Sequence, residues 1–224
     1  MERKSWVMVA LKQAMPIIIG YFSISVAFGV LATKCLGFTS VLMSAMVFAG
    51  ASQFVALQML LISAPAVIIV FMTFLINLRH ILMSSYLCRF YKDQKITRRF
   101  LLAFGITDET FAISSRNLEN IPDEYRFKYQ ITLNTSCYIS WITGTLVGVC
   151  TGQVLPLTFI DTLSFILTAL FLYLMVVNIK KKVDLVVALF AGLLSLAMSN
   201  VVGWNVLVAT LLASYLGSKL EKRW

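Results

Sequence analysis

Residues Gln13–Leu78 read QAMPIIIGYFSISVAFGVLATKCLGFTSVLMSAMVFAGASQFVALQMLLISAPAVIIVFMTFLINL, and in these 66 residues one side chain, Lys34, carries a charge. The hydrocarbon core of a bilayer is about 30 Å thick and asks for about 20 consecutive apolar residues per helix. The stretch therefore supplies three apolar runs of membrane length. The rest of the chain follows suit: 59% of all residues are hydrophobic, 13% are charged and the mean hydropathy is +0.86. Ordinary soluble domains carry about 25% charge. The expected fold class is an all-α polytopic integral membrane protein with about six to eight apolar helices, some broken or re-entrant, in a single transmembrane domain over residues 1–224. Loops are short, and no linker or low-complexity stretch interrupts them.

The net charge of +9 does not point to nucleic acid, because the basic residues sit in short clusters between apolar runs, where they set membrane topology. Cys35, Cys88, Cys137 and Cys150 lack any C-x-x-C spacing and read as free thiols in small packing positions. His80 is the only histidine, too few for a zinc or haem site, so no metal and no cofactor is expected. The basic start, Met1-Glu2-Arg3-Lys4, precedes a full-length apolar run without a small-residue cleavage site. A retained first helix is expected there, with no removable signal peptide.

Apolar runs fall at about Gln13–Ala32, Val41–Ile62, Pro65–Leu87, Phe100–Ser114, Ile131–Cys150, Thr162–Val177, Val183–Ser199 and Trp204–Leu216. Between them lie basic clusters: Arg3/Lys4/Lys12, Arg89/Lys92/Lys95/Arg98/Arg99, Arg116/Arg126/Lys128, Lys180-Lys181-Lys182 and Lys219/Lys222/Arg223. Short loops rich in Lys and Arg stay in the cytoplasm. With all five clusters on that side, an even number of crossings separates neighbours. Val41–Ile62, interrupted by Gly50-Ala51-Ser52-Gln53, then fails to cross, and Phe100–Ser114 is re-entrant or broken. Loop Thr151–Asp161 is external, and both termini are cytoplasmic. The competing topology lets all eight runs cross and places the Arg89–Arg99 cluster outside. A short echo links the two exceptional runs: Phe48-Ala49-Gly50-Ala51-Ser52-Gln53-Phe54 and Phe104-Gly105-Ile106-Thr107-Asp108-Glu109-Thr110-Phe111 both place Gly, then polar residues, then Phe. Paired, Gly-interrupted segments point to a transporter site built from discontinuous helices.

Ionisable groups at membrane depth are costly and mark function by default. Asp108 and Glu109 interrupt an apolar segment and are the only carboxylates between Asp93 and Glu119. Asp108 reads either as a proton-coupling group or as a helix cap; Glu109, about 100° around the helix, reads as water-facing. Arg79 and His80 are embedded, being followed by Ile81-Leu82-Met83. Arg79 can pair with Asp108 or with a ligand carboxylate, or snorkel to headgroups, and His80 can relay protons or sit in an interior hydrogen bond. Asn77 shares the helical face of His80. Gly50-Ala51-Ser52-Gln53 allows a ligand near the backbone and offers polar groups, or serves close helix packing. Pro16, Gly20, Ser23, Ser25 and Gly29 could mark a kink lining a pathway. Asp161 reads as a solvated cap and Asn178 as a helix end.

The first span from Met15-Pro16-Ile17 to Ala27-Phe28-Gly29-Val30, the Phe48–Phe54 block, Asn77-Leu78-Arg79-His80 and Thr107-Asp108-Glu109-Thr110-Phe111-Ala112 resemble, in order and spacing, the AzlC-type family, the large subunits of two-component branched-chain amino acid exporters of bacteria and archaea. The resemblance implies a cytoplasmic-membrane permease exporting branched-chain amino acids, in some members methionine, with proton coupling. It also implies a small hydrophobic AzlD-type partner subunit.

The expected activity is secondary transport of a small amino acid, without enzymatic chemistry. Gly50, Ser52, Gln53, Asn77 and Arg79 are the expected substrate-binding residues. Asp108 and His80 are the expected proton-coupling ones. Two other classes stand beside this one: an intramembrane enzyme using Ser52 or the Asp108/His80 pair, and a structural subunit without transport activity of its own.

Overall fold

The computed structural model describes residues 6–152, 181–198 and 205–221, with positions 172, 175, 176 and 179. Most of the run expected at Thr162–Val177 lies outside the described residues, as do Arg3, Lys4, the loop from Gln153 to Asp161, Asn178, Lys180, Lys222 and Arg223. Every regular element among the described residues is helical.

Helix α1 (Trp6–Leu36) and the helix that carries Asp123–Gly152 form the spine. They run parallel, from Trp6 beside Tyr125 (ring centroids 6.4 Å apart) to Val30 beside Gly152. Their contact is built on small residues. Gly144, Gly148 and Gly152 recur every fourth position, hence along one helical face, and a Cβ on Gly148 would lie 2.2 Å from the Val26 carbonyl oxygen. A Cβ on Gly29 of α1 would lie 2.3 Å from the Thr145 carbonyl oxygen. In lipid, where apolar side chains gain little by leaving the solvent, such close backbone approach is a main source of helix association. Pro16 lies inside α1, which continues through it to Gly37. There a positive φ of 52° lets the Gly37 N–H close back on the carbonyls of Ala32 and Thr33.

The run expected at Val41–Ile62 is two helices, α2 (Thr39–Met46) and α3 (Gly50–Leu61). The interruption falls on Val47-Phe48-Ala49, earlier than expected, and Gly50–Gln53 forms the first turn of α3. Phe48 decides the position. Its ring is buried edge-on between Tyr21 and Tyr138, with centroids 5.9 and 5.3 Å away, and that anchorage draws the backbone out of helical geometry. The Tyr138 hydroxyl donates to the Ala45 carbonyl at 2.5 Å, satisfying an acceptor that the end of α2 leaves open.

Helix α4 (Ala66–Cys88) runs antiparallel to α1 and ends in a 3-10 turn, Arg89–Tyr91. The run at Phe100–Ser114 is again two helices, α5 (Ile96–Phe104) and α6 (Asp108–Asn117), parted at Gly105-Ile106-Thr107. The Asp123–Gly152 helix, α7, serves this break as it serves the first. Asn134 Nδ2 donates to the Leu102 carbonyl at 2.9 Å, and a Cβ on Gly105 would collide with Asn134 Cβ at 2.6 Å.

Each broken run returns to the end from which it set out. Arg89 meets Glu119 at 3.0 Å, Gln13 meets Asn117 at 3.4 Å and the Arg98 guanidinium lies 4.9 Å from the Phe127 ring, so α5 enters and α6 leaves at one end. That end also carries Lys12, Arg89–Arg99 and Arg116–Lys128. At the opposite end α2 starts beside Gly37, and α3 closes onto α4 through the buried pair Met59 and Met72. Gln53 Nε2 bridges the break of the α2–α3 excursion to Ser44 Oγ at 3.0 Å.

Two of the described helices, Trp6–Leu36 and Ala66–Tyr91, are long and apolar enough to cross a membrane. Six to eight apolar helices are not confirmed among the described residues: two runs are split, as expected of broken or re-entrant segments, into pieces of 8 to 12 residues, and α8 (Lys182–Ala197) and α9 (Asn205–Glu221) have 16 and 17. Helices α8 and α9 pack on each other, with Gly217 against Val187. Cys137 alone of the four cysteines fills a buried packing position; Cys35, Cys88 and Cys150 are free but exposed.

Candidate functional site

The two breaks open onto one cavity of about 50 Å³ between α1, α3, α4, α6 and α7. Phe48, Ala49 and Gly50 line it from the first excursion, and Thr107, Asp108 and Glu109 from the second. Arg79 and His80 of α4 face them, Tyr21 of α1 forms a wall and Trp141 of α7 closes another. The first turns of α3 and α6 thus bring two positive helix ends to one place. Thr107 caps α6 through a box in which it and Thr110 each bond the other's backbone N–H. No side chain caps α3, so the leading N–H groups of its first turn, beside the cavity, lack a side-chain acceptor there.

The ionisable groups are paired across elements. Arg79 Nη1 lies 2.7 Å from Asp108 Oδ2, with both side chains about one-third exposed, while Arg79 Nε is buried without a partner. Asp108 is therefore a paired group at the first turn of α6, and the cap is Thr107. Glu109 is exposed, in keeping with the expected water-facing position, and it is also bonded. The Tyr21 hydroxyl donates to its Oε2 and sits 2.6 Å from Thr107 Oγ1, tying the first turn of α6 to α1. Helical spacing separates Asp108 and Glu109 by about 100°, yet the cavity lies in the angle between α4 and α1, so the two carboxylates reach different walls. His80 lines the cavity beside Thr107, the last residue of the second break.

Four of the expected site residues, Gly50, Arg79, His80 and Asp108, line the cavity. Ser52, Gln53 and Asn77 do not. Ser52 donates to Asn77 Oδ1 at 2.6 Å and joins α3 to α4. Gln53, fully buried, accepts from Trp141 Nε1 at 2.7 Å and donates to Ser44, which lies 2.9 Å from Thr145 Oγ1. Its amide is spent on holding α2, α3 and α7 together. Of the residues thought to mark a pathway in α1, Gly20 faces open space, Ser23 is exposed, and Ser25 and Gly29 pack on α7. Sequence reasoning missed Tyr21 and Trp141. Their signal was present in outline, since each is an aromatic with a polar tip inside an apolar run, a combination that usually finds a partner when buried. Among the described residues no three metal-ligating side chains converge.

Residues 16–155, which contain both breaks and the whole cavity lining, match the AzlC protein family. The chain belongs to the AzlC family. It is 35% identical over 216 residues to an uncharacterized membrane protein of Archaeoglobus fulgidus, covering 93% of this chain and 90% of that protein. It is 32% identical over 207 residues to the inner membrane protein YgaZ of Escherichia coli (89% and 83% covered). It is 28% identical over 225 residues to the branched-chain amino acid transport protein AzlC of Bacillus subtilis (97% and 87% covered). No solved structure matches it. In this AzlC-family chain the matched region ends close to the C-terminus of α7, so α8 and α9 lie beyond it. The family points to membrane transport and away from catalysis.

Proposed function

We propose that this AzlC-family chain is a secondary transporter that exports branched-chain amino acids, and methionine with them, across the cytoplasmic membrane in exchange for protons. One observation carries the reading: two broken helices entering from opposite ends deliver their N-terminal turns to a single cavity that holds the Arg79–Asp108 ion pair. Half-helix ends at mid-depth are how transporters meet the charged groups of a substrate without a continuous polar channel. A zwitterion places its carboxylate on the N–H groups at the start of α3 and on Arg79, and its ammonium on Asp108. Phe48, Ile24 and Trp141 offer apolar surface to the aliphatic side chain.

The cavity, at about 50 Å³, has room for a few waters, each needing roughly 10–15 Å³ of such space. An amino acid needs more, so the arrangement is a closed one and the excursions part to load. Protonation of Asp108 from outside removes the ammonium's partner and releases substrate; loss of that proton to the cytoplasm restores the site. His80, on the same wall, is the relay. The basic end faces the cytoplasm by the bias of short Lys/Arg-rich loops. A small hydrophobic subunit of the AzlD type completes the transporter.

The test is flux of labelled leucine, isoleucine, valine and methionine in proteoliposomes holding the full chain, with and without such a subunit and an imposed pH gradient. Gradient-driven accumulation that disappears in Asp108→Asn is expected. Absence of flux for all four with the partner present would remove the substrate assignment, and flux untouched by Asp108→Asn would remove the coupling role.

A further inference from the structure

A second, larger groove of about 480 Å³ opens between the last turns of α4, the length of α5 and the Gln130 turn of α7. It runs from Tyr91 and Arg99 at the basic end to Ile106 at the second break. Nine-residue α5 is about 13 Å long at 1.5 Å per residue, close to one leaflet of a core about 30 Å thick. Its walls are apolar: Leu87, Ile96, Phe100, Leu102 and Ala103.

Three of the polar side chains around it are engaged. Ser85 donates to the Ile81 carbonyl at 2.7 Å, Gln130 donates to Asn134 Oδ1 at 2.8 Å, and Arg99 holds the carbonyls of Gln94 and Lys92 at 2.9 and 3.1 Å. No carboxylate lines the groove, so an amino-acid ammonium entering it would lose water and gain no counter-charge. Arg99 lines the groove, and the loop and first turn that lead to it carry Lys92, Lys95 and Arg98 as well, against the single carboxylate of Asp93. None of these four cations is in an ion pair among those formed by the described residues.

We infer that the groove holds one acyl chain of an anionic phospholipid, with the headgroup phosphate on the Lys92–Arg99 loop. An apolar slot of leaflet depth under a basic rim matches both halves of that molecule and neither a zwitterion nor a free anion. The chain end then touches Ile106, the residue before Thr107 in the second break. The inference does not depend on which solute is carried.

Native mass spectrometry of the purified full chain tests it, with phosphatidylglycerol and phosphatidylcholine of identical acyl chains as probes. Phosphatidylglycerol is expected to be retained at least about 5-fold over phosphatidylcholine, in line with one basic residue's attraction for an anionic headgroup. Lys92→Gln with Lys95→Gln, at exposed positions without side-chain partners, removes that preference and leaves the fold intact. Ala103→Trp fills the slot and lowers retention of both lipids. Glycerol 3-phosphate does not displace the bound lipid. Equal retention of the two lipids, an unchanged preference in the double lysine variant, or displacement by glycerol 3-phosphate or by leucine would each overturn the assignment.

Discussion

Arg89 and Glu119 meet at 3.0 Å across thirty residues of chain, and this contact closes the α5–α6 excursion at the end where it began. The pair is exposed and contributes little energy, about 0–1 kcal/mol. Its value is topological, because it sets the Arg89–Arg99 and Arg116–Lys128 clusters side by side.

Side-specific labelling follows from that placement. In a background lacking the four cysteines, Gln94→Cys and Asn120→Cys are expected to react with an impermeant maleimide from one side of the membrane, and Thr39→Cys and Ser63→Cys from the other. Labelling of Gln94→Cys and Asn120→Cys from opposite sides would mean that the run between them crosses.

The Arg79–Asp108 pair is one-third exposed, so breaking it is expected to cost at most about 1 kcal/mol of stability. Transport is expected to fall at least about tenfold in Arg79→Gln, the equivalent of 1.4 kcal/mol. Thermal melts and leucine flux measured on one preparation separate the two effects. A variant that melts as wild type and transports as wild type would detach Arg79 from the site.

Gly148 and Gly20 make a matched pair of substitutions in the same spine. At Gly148 a Cβ strikes the Val26 backbone, so Gly148→Ala is expected to destabilise by about 1–3 kcal/mol. At Gly20 nothing lies within 4 Å, so Gly20→Ala is expected to stabilise α1 by roughly 0.5–1 kcal/mol. Equal melting temperatures for the two would contradict the close α1–α7 approach.

Gln53→Leu leaves the Trp141 indole N–H buried without an acceptor, a cost of about 1–3 kcal/mol. Since Gln53 is absent from the cavity lining, the expected signature is a lower melting temperature with an unchanged KM for substrate in the protein that remains folded. A raised KM at unchanged stability would return Gln53 to the binding site.

Tyr21→Phe removes the hydroxyl that holds Glu109 and Thr107, keeping the ring that packs on Phe48 and Trp141. Stability is expected to change by about 1 kcal/mol, and transport to fall as α6 loses its tie to α1. Unchanged flux would leave Tyr21 a packing residue.

The residues of the chain alone determined that it is helical and membrane-bound, that Val41–Ile62 and Phe100–Ser114 are exceptional runs, and that Arg79, His80 and Asp108 carry cost that packing alone would not justify. Composition and charge spacing are local quantities, legible without coordinates. Only the tertiary structure decided that the first break falls at Val47–Ala49, because the Phe48 anchor and the Tyr138 hydroxyl belong to a contact with residues far along the chain. It decided that Gln53 braces α7 and leaves the cavity free, that the exposed Glu109 accepts from the Tyr21 hydroxyl, and that Gly144, Gly148 and Gly152 of α7 all meet α1. Those outcomes depend on which surfaces face each other at ångström range, and periodicity along one chain does not contain that information.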